Sequence, residues 1–194
     1  MHLPSSAELL ARRTVLGEGP ITERSATDCI AQLLFLSHGE PSAPISLELN
    51  SPGGNVTASL AIISTTDSLQ CRVCTFSRQL VGGTAIAIAA HGAHGFRNAS
   101  ASATFAFVQT YGEPGRGYVE AEISQFDQVL AELLSEDAGR HEQEVFALLR
   151  TERVLTASEA LAFGVIDLLS DSLVTPKPKS GEGWLTRIKR IFWS

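Results

Sequence analysis

The sequence predicts an α/β domain built from βαβ units, and three observations support this class. Segments in which apolar residues alternate, as in strands, are followed by segments with apolar residues at helical spacing. Two glycine-rich turns, Asn50–Gly54 and Gly82–Gly83, each separate a strand pattern from a helix pattern. A capping box at Thr156–Glu159 begins one more helix before a last strand pattern. Such alternation of strands and helices is typical of α/β proteins.

The first elements lie before the Asn50–Gly54 turn. Leu9–Val15 is predicted to be the initial strand. Thr22 or Ser25 can cap the helix after it, because a hydroxyl there accepts a hydrogen bond from an N–H of the first turn. The apolar stripe of this helix is predicted to consist of Ile30, Leu33 and Leu34.

The central elements surround the two glycine turns. Ile45–Leu49 alternates apolar with polar residues and is predicted to be a strand that runs into the first turn. The elements expected next are a helix from about Val56 to Leu69, a strand over Arg72–Phe76 and a helix of small residues over Thr84–Ala90.

The last elements end at about residue 169. Phe105 and Phe107 are two residues apart, so they lie on one face of the next predicted strand. A long amphipathic helix follows, with its apolar stripe at Ile123, Phe126, Val129, Leu130 and Leu133. Another helix is predicted from about His141 to Leu149. Gly164 suits the end of the helix that begins at the capping box, before a strand over Val165–Leu169.

Length, composition and charge limit the classes of function. A chain of 194 residues with 44% apolar and 19% charged residues suits one globular domain with a short tail. A net charge of −6 without a basic stripe argues against a nucleic-acid partner. The N-terminal sequence has no export-signal pattern, and no apolar run reaches membrane-spanning length. We therefore expect a cytoplasmic protein.

The sequence divides into a domain over residues 1–170, a linker over 171–183 and a C-terminal helix over 184–194. The linker is rich in Ser, Pro, Lys and Gly. The apolar face of the predicted helix is formed by Trp184, Leu185, Ile188, Ile191 and Phe192. Because Arg187 and Arg190 lie opposite, this helix can dock on a protein or contact a membrane surface weakly, and docking on a protein is favoured.

The three cysteines do not form a disulfide framework, which fits a reducing compartment. Cys71 and Cys74 have the spacing of redox and zinc sites, but residues three apart in a strand point to opposite faces. No second cysteine pair and no nearby histidine completes a site. We expect packed thiols at Cys29, Cys71 and Cys74, no metal and no cofactor.

Several segments together resemble one peptidase family. The matching segments are Ile30–Leu36, Leu47–Ala58, Gly92–Arg97, Leu155–Ala160 and Phe163–Asp167. On these motifs the chain resembles the proteolytic subunit of the Clp ATP-dependent protease, a serine peptidase, from about Leu9 to Leu169. The resemblance implies a crotonase-like spiral of βαβ units with a protruding handle helix, here Val119–Leu133. It also implies self-association into heptameric rings stacked into a barrel, with a Ser-His-Asp triad inside.

The triad positions of that family carry other residues in this chain. An ungapped match from Gly53 places the nucleophile position on Gly83 and the general-base position on Val108. After a short deletion, the third position falls on Glu152. Glycine has no oxygen to attack a carbonyl, and valine cannot accept a proton. The sequence therefore predicts that this chain does not cleave peptide bonds by itself. By the same resemblance, oxyanion donors would be the backbone N–H groups of Gly54 and Thr84.

A relocated catalytic set is the first alternative. Thr84 and His91 share a helical face, but a spacing of seven residues separates them by about 10 Å, too far for a hydrogen bond. His94, Ser100 and Ser102 are better explained as solvated loop residues. A Ser-Lys dyad is excluded in the domain, since every lysine lies in the tail.

The leading hypothesis is a catalytically inactive subunit with a structural or regulatory role in a barrel, alone or with an active paralogue. The second is an active peptidase with a relocated set. The third is a protein of the same fold that binds peptides or acyl groups without chemistry. The segment before Leu9 is short for the family's ATPase-engaging N-terminus, so docking of an unfoldase ATPase stays open.

Overall fold

The computed structural model describes residues 5–108, 120–172 and 174–176. Its helices are α1 (Ser6–Ala11), α2 (Glu23–Gly39), α3 (Val56–Ser68), α4 (Thr84–Ala90), α5 (Glu120–Ala138), α6 (Glu142–Arg150) and α7 (Ala157–Phe163). Its strands are β1 (Thr14–Glu18), β2 (Ile45–Ser51), β3 (Val73–Gly82), β4 (Arg97–Ala99), β5 (Thr104–Ala106), β6 (Val154–Thr156) and β7 (Leu168–Leu169).

The strands form one mixed sheet, most of which is parallel. Five strands lie in the order β1-β2-β3-β4-β7, and each pairs parallel with its neighbour. β5 pairs parallel with the end of β3, and β6 pairs antiparallel with β5. The helices α2, α3 and α4 connect successive parallel strands, as βαβ units require. The predicted α/β class is confirmed.

β3 is longer than the predicted strand Arg72–Phe76, and it changes its partner along its length. Thr75–Ser77 pairs with β4, whereas Leu80–Gly82 pairs with β5. Against β2 the register shifts between these two parts. The residues in between are exposed, and the shifted register is that of a β-bulge, which bends a strand. This bend carries the end of β3 next to the turn after β2.

Capping side chains begin the helices where the sequence predicted. The Thr22 hydroxyl accepts a hydrogen bond from the Ser25 N–H at the start of α2, and Thr156 with Glu159 forms the capping box of α7. Asn55 caps α3 through the Ala58 N–H. Gly164 ends α7 in the left-handed conformation, with φ of 98°.

Two expectations for the N-terminal part are wrong. Leu9–Val15 is not a strand, because Ser5 and Glu8 form a capping box that begins α1, and β1 begins only at Thr14. Leu34 is not part of the apolar stripe of α2, since 48% of its surface is exposed. The buried residues of that helix are Ala26, Cys29, Leu33, Leu36 and Ser37. Their stripe has the expected helical spacing but a different centre.

The C-terminal part of the described chain returns to the sheet. The buried Asn98 side chain accepts a hydrogen bond from the Val174 N–H and donates one to the Val174 carbonyl oxygen, at 3.3 and 3.1 Å. The start of the predicted linker 171–183 is therefore attached to β4. The predicted helix over 184–194 lies outside the described residues. Among the described helices, none is long and apolar enough to cross a membrane.

A buried arginine joins β1 to the end of α2. The Arg13 guanidinium donates hydrogen bonds to the carbonyl oxygens of Leu36, Glu40, Ala43 and Pro44, at distances from 2.8 to 3.2 Å. Burial lowers the pKa of Arg13 from its usual value. The positive charge stabilises the C-terminal end of α2, where carbonyl oxygens lack helical partners.

Replacing Arg13 with methionine is expected to lower the free energy of unfolding by at least about 2 kcal/mol, because several buried carbonyl oxygens would lose their donors. Urea denaturation at fixed protein concentration measures this loss. Arg12→Met is the matched control, since Arg12 is exposed, and its effect is expected within about 0.5 kcal/mol. Equal effects of the two substitutions would contradict the role given to the Arg13 hydrogen bonds.

Candidate functional site

The two glycine turns lie against each other with backbone in contact with backbone. A Cβ atom built on Gly53 would lie 2.5 Å from the Gly82 carbonyl oxygen and 2.9 Å from the Thr84 nitrogen. A Cβ on Gly82 would lie 2.9 Å from the Pro52 carbonyl oxygen. Both positions therefore require glycine, because any other residue would push the turns apart. The carboxyl ends of β2 and β3 meet at this contact.

Gly83 joins β3 to α4 in a conformation that most residues avoid. Its φ is 48° and its ψ is −126°. Its N–H donates to the Ala106 carbonyl oxygen of β5 at 3.0 Å, and its carbonyl oxygen accepts from the Ile86 N–H at 3.1 Å. A sharp strand-to-helix turn with strained backbone is how a nucleophile elbow presents its side chain. The turn has this form, although glycine places no side chain there.

Gly83 and Val108 are neighbours in space. A Cβ atom on Gly83 would lie 3.4 Å from Val108 Cγ2 and 3.4 Å from the Pro52 carbonyl oxygen. A side chain at position 83 would thus point at the side chain of position 108, at ordinary contact distance. The structure brings together two residues that the resemblance assigned to the nucleophile and the general base. Neither side chain contains an oxygen or nitrogen atom.

Glu152 lies on the turn that leads into β6. The antiparallel pairing of β5 with β6 continues beyond the strands, since the Phe107 N–H donates to the Arg153 carbonyl oxygen at 2.9 Å. Glu152 precedes Arg153 in the turn, is exposed and has a φ of 47°, which is uncommon for a residue with a side chain. The residue assigned to the third triad position therefore lies one residue beyond the last hydrogen bond of this ladder, on the strand opposite Phe107.

In the turn after β2, the N–H groups of Gly53 and Gly54 donate hydrogen bonds to side chains of the protein itself. The Gly54 N–H donates to Thr84 Oγ1 at 3.1 Å, and the Gly53 N–H donates to Ser51 Oγ at 3.1 Å. Thr84 is 3% exposed and Ser59 is fully buried, and their hydroxyl oxygens lie 2.8 Å apart. Of the two predicted oxyanion donors, Gly54 thus already has an acceptor. The sequence did not indicate this bond.

Thr84 and His91 do not form a catalytic pair. Thr84 begins α4 and His91 follows its last residue, at opposite ends of the helix. His91 Nδ1 lies 3.0 Å from Asp137 Oδ2 of α5, and Nε2 lies 2.8 Å from Asp67 Oδ1 of α3. Both ring nitrogens are engaged by carboxylates. The ring holds three helices together at a point away from the glycine turns.

The other candidate residues also lack a catalytic partner in the described part of the chain. The hydroxyls of Ser100 and Ser102 lie 3.0 Å apart in the turn between β4 and β5, and His94 is exposed. Within residues 5–108 and the described residues from 120 onward, no histidine nitrogen is hydrogen-bonded to a serine or threonine hydroxyl. The lysines lie beyond the described residues, so a lysine base is not tested.

The three cysteines are buried and free. Burial raises the pKa of Cys29 to about 12 and that of Cys74 to about 11, so both are protonated thiols at neutral pH. Cys71 precedes β3, whereas Cys74 lies within it. No group of three or more potential metal ligands occurs in the described residues. The thiols are part of the packed interior.

Comparison with known proteins gives a single family. A family model for Clp protease matches residues 3–172. A Streptomyces coelicolor protein named "ATP-dependent Clp protease proteolytic subunit-like" is 35% identical over 182 residues, which cover 90% of this chain and 86% of that protein.

Two streptococcal proteins named "ATP-dependent Clp protease proteolytic subunit" are also similar. The one from Streptococcus suis is 29% identical over 173 residues, 86% of this chain and 88% of that protein. The one from Streptococcus pneumoniae is 30% identical over 168 residues, which cover 83% of this chain and 86% of that protein. The resemblance predicted from the motifs is confirmed, and with it the crotonase-like fold.

The contacts of His91 predict a dependence of stability on pH. The hydrogen bond with Asp137 raises the pKa of His91 to about 9; burial opposes this shift and the bond with Asp67 adds to it. In the unfolded chain the pKa is about 6.5. The stabilisation is therefore complete below about pH 6.5 and is lost as the pH rises to about 9, by an amount on the order of 2 kcal/mol.

Urea denaturation between pH 6 and 9.5 measures this loss, and His91→Gln is expected to remove most of it. His94→Gln is the matched control, since this exposed histidine should leave the pH dependence unchanged. An identical pH profile for His91→Gln and the unmodified protein would refute the role of His91.

Proposed function

The chain belongs to the Clp protease family, and we propose that it is a catalytically inactive member with a structural or regulatory role in an assembly of subunits. One observation carries the proposal. At the strained turn where a nucleophile would stand there is Gly83, and the side chain that faces this position is that of Val108. The pair has no group that can attack a carbonyl or accept a proton.

The remaining residues of the site do not compensate. Glu152 lies in the turn before β6, but a carboxylate at the third position serves to orient an imidazole, and position 108 has none. Removing a serine peptidase triad reduces turnover by a factor on the order of 10⁶. A relocated set has no support among the described residues, where the hydroxyls and imidazoles are not paired.

The features retained from the family are those that shape the subunit. The contact between the two glycine turns fixes the ends of β2 and β3, and α5 extends from Glu120 to Ala138 where a handle helix is expected. Leu34 and Phe35 on α2 are 48% and 43% exposed. Large apolar side chains on the surface of one copy favour contact with another subunit. These features support self-association, in rings of the size typical of the family.

In such an assembly, the chain would either occupy structural positions in the barrel or regulate an active paralogue. An inactive subunit that occupies ring positions would lower the number of active sites and alter the surface presented to an unfoldase ATPase. We propose the cytoplasm as its location, on the sequence features given above. The tail over 184–194 would add a contact with a neighbouring protein, or a weak one with a membrane surface.

The purified protein is expected to show no cleavage of fluorogenic peptides and no labelling by a fluorophosphonate probe, since the described part of the chain contains no hydroxyl paired with a base. A triad-bearing Clp subunit assayed in parallel is the positive control. A single labelled residue, mapped by mass spectrometry, together with peptide turnover would replace this proposal with a relocated catalytic set.

Assembly is tested by native mass spectrometry at micromolar concentration. We expect an oligomer, either of this chain alone or together with a triad-bearing paralogue recovered by co-purification from the native host. Replacing Leu34 with glutamate should shift the distribution toward smaller species, whereas Thr27→Glu on an exposed, polar part of the same helix should not. The assembly role would be ruled out if the chain were a monomer both when purified alone and when recovered from the native host.

A further inference from the structure

We propose that the Thr84 hydroxyl occupies the Gly54 N–H, one of the two backbone donors at which an oxyanion or a peptide carbonyl would bind, so that the crevice beside Gly83 cannot hold such a ligand by both donors. The proposal goes beyond the loss of the nucleophile and the base. It concerns the binding half of the site, and it does not depend on whether the chain assembles.

The Gly54 N–H is close to position 83. A Cβ atom on Gly83 would lie 4.0 Å from Gly53 Cα, and Gly54 is the next residue in the chain. The Gly54 N–H therefore belongs to the turn that lies beside position 83, and the family resemblance assigns it as an oxyanion donor. The acceptor present in the structure is Thr84 Oγ1, at 3.1 Å. Thr84 directly follows Gly83, so the backbone of this turn places the Thr84 hydroxyl beside the Gly54 N–H.

The Thr84 hydroxyl also forms a hydrogen bond with a second hydroxyl, that of Ser59. Ser59 Oγ lies 2.8 Å from Thr84 Oγ1 and 2.9 Å from the Asn55 carbonyl oxygen. Each hydroxyl has one proton. If Ser59 donates to Asn55, Thr84 donates to Ser59 and retains a lone pair for the Gly54 N–H. Every donor in this chain of three bonds is then satisfied inside the protein.

A ligand could use the Gly54 N–H only by displacing Thr84. The Thr84 side chain is almost completely buried and β-branched, so it has few other rotamers in a helix. Displacement would break the bonds of its hydroxyl to the Gly54 N–H and to Ser59, while Ser59 would keep only its bond to the Asn55 carbonyl oxygen. A neutral carbonyl would gain one hydrogen bond in return. The exchange is unfavourable, so a peptide or acyl carbonyl does not gain the Gly54 N–H.

The Gly54 N–H can be observed selectively by NMR. The sequence contains two Gly-Gly pairs, Gly53-Gly54 and Gly82-Gly83. Glycine labelled with both ¹³C at the carbonyl and ¹⁵N selects the second residue of each pair, so Gly54 and Gly83 alone give signals. The Gly83 N–H donates to Ala106, independently of Thr84, and is the internal control. Gly83→Ala identifies which signal belongs to which residue.

We expect the Gly54 amide of the unmodified protein to be protected from hydrogen exchange. Thr84→Val keeps the shape but removes the acceptor, so exchange at Gly54 should become at least about tenfold faster while the Gly83 signal stays unchanged. Thr84→Ser keeps the hydroxyl and should preserve most of the protection. Unchanged exchange and chemical shift of Gly54 in Thr84→Val would overturn the proposal.

The unmodified protein alone provides a second test, which does not require that a variant folds. An unprotected Gly54 amide would show that the hydroxyl does not hold it. Addition of a capped dipeptide at millimolar concentration should leave the Gly54 signal in place. Movement of this signal, with that of Gly83 fixed, would mean that the crevice accepts peptide carbonyls. That result would contradict the proposal that Thr84 occupies the Gly54 N–H. It would not bear on the proposed absence of a nucleophile and a base.

Discussion

The contact between the Pro52–Gly54 turn and the Gly82–Gly83 turn is the constraint on which the rest of the site depends. Backbone atoms approach so closely there that a single Cβ at Gly53 would overlap the Gly82 carbonyl oxygen. β3 reaches this contact only because its register against β2 shifts near its end. The contact then determines where α4 begins and where Thr84 lies. The geometry of the crevice is therefore a property of the backbone and not of any catalytic side chain.

Because of this separation, the fold does not require a reactive side chain at position 83. In a nucleophile elbow, the strained backbone and the reactive hydroxyl are distinct contributions. Glycine at position 83 keeps the positive φ at a lower conformational cost than serine would have. Val108 contacts the space that a side chain at position 83 would enter. With glycine at position 83 and valine at position 108, the turn, its hydrogen bonds and its packing are in place.

Much of the fold follows from local sequence patterns. Most elements from α2 to α7 could be predicted because caps and glycines mark their ends, as at Thr22, Asn55 and Gly164, whereas the short strands β4 and β6 were missed. The first segment could not, since Leu9–Val15 has an apolar pattern and only the Ser5–Glu8 capping box favours a helix. The length of β3 was missed because its bulge exposes residues that a regular strand would bury.

The site was predictable to the extent that it follows from residue identities. Gly83, Val108 and Glu152 were assigned by position, and in the structure Gly83 lies beside Val108, while Glu152 lies in the turn before β6. Contacts between distant segments were not predictable from spacing. Asp67 and Asp137 are ordinary helix carboxylates in the sequence, and only the packing of α3 and α5 against α4 brings them to His91.

The hydrogen bond from the Gly54 N–H to the Thr84 hydroxyl determines whether this backbone donor is available to a ligand. A crevice that had lost only its nucleophile would keep an exposed N–H donor, and such a donor favours a bound carbonyl or anion. Here the donor is satisfied by a buried hydroxyl that itself has a second partner in Ser59. The Gly54 N–H is therefore not a free donor that would attract a ligand. If the chain is inactive, as proposed above, the surfaces on which its subunits would meet are where its function is to be sought.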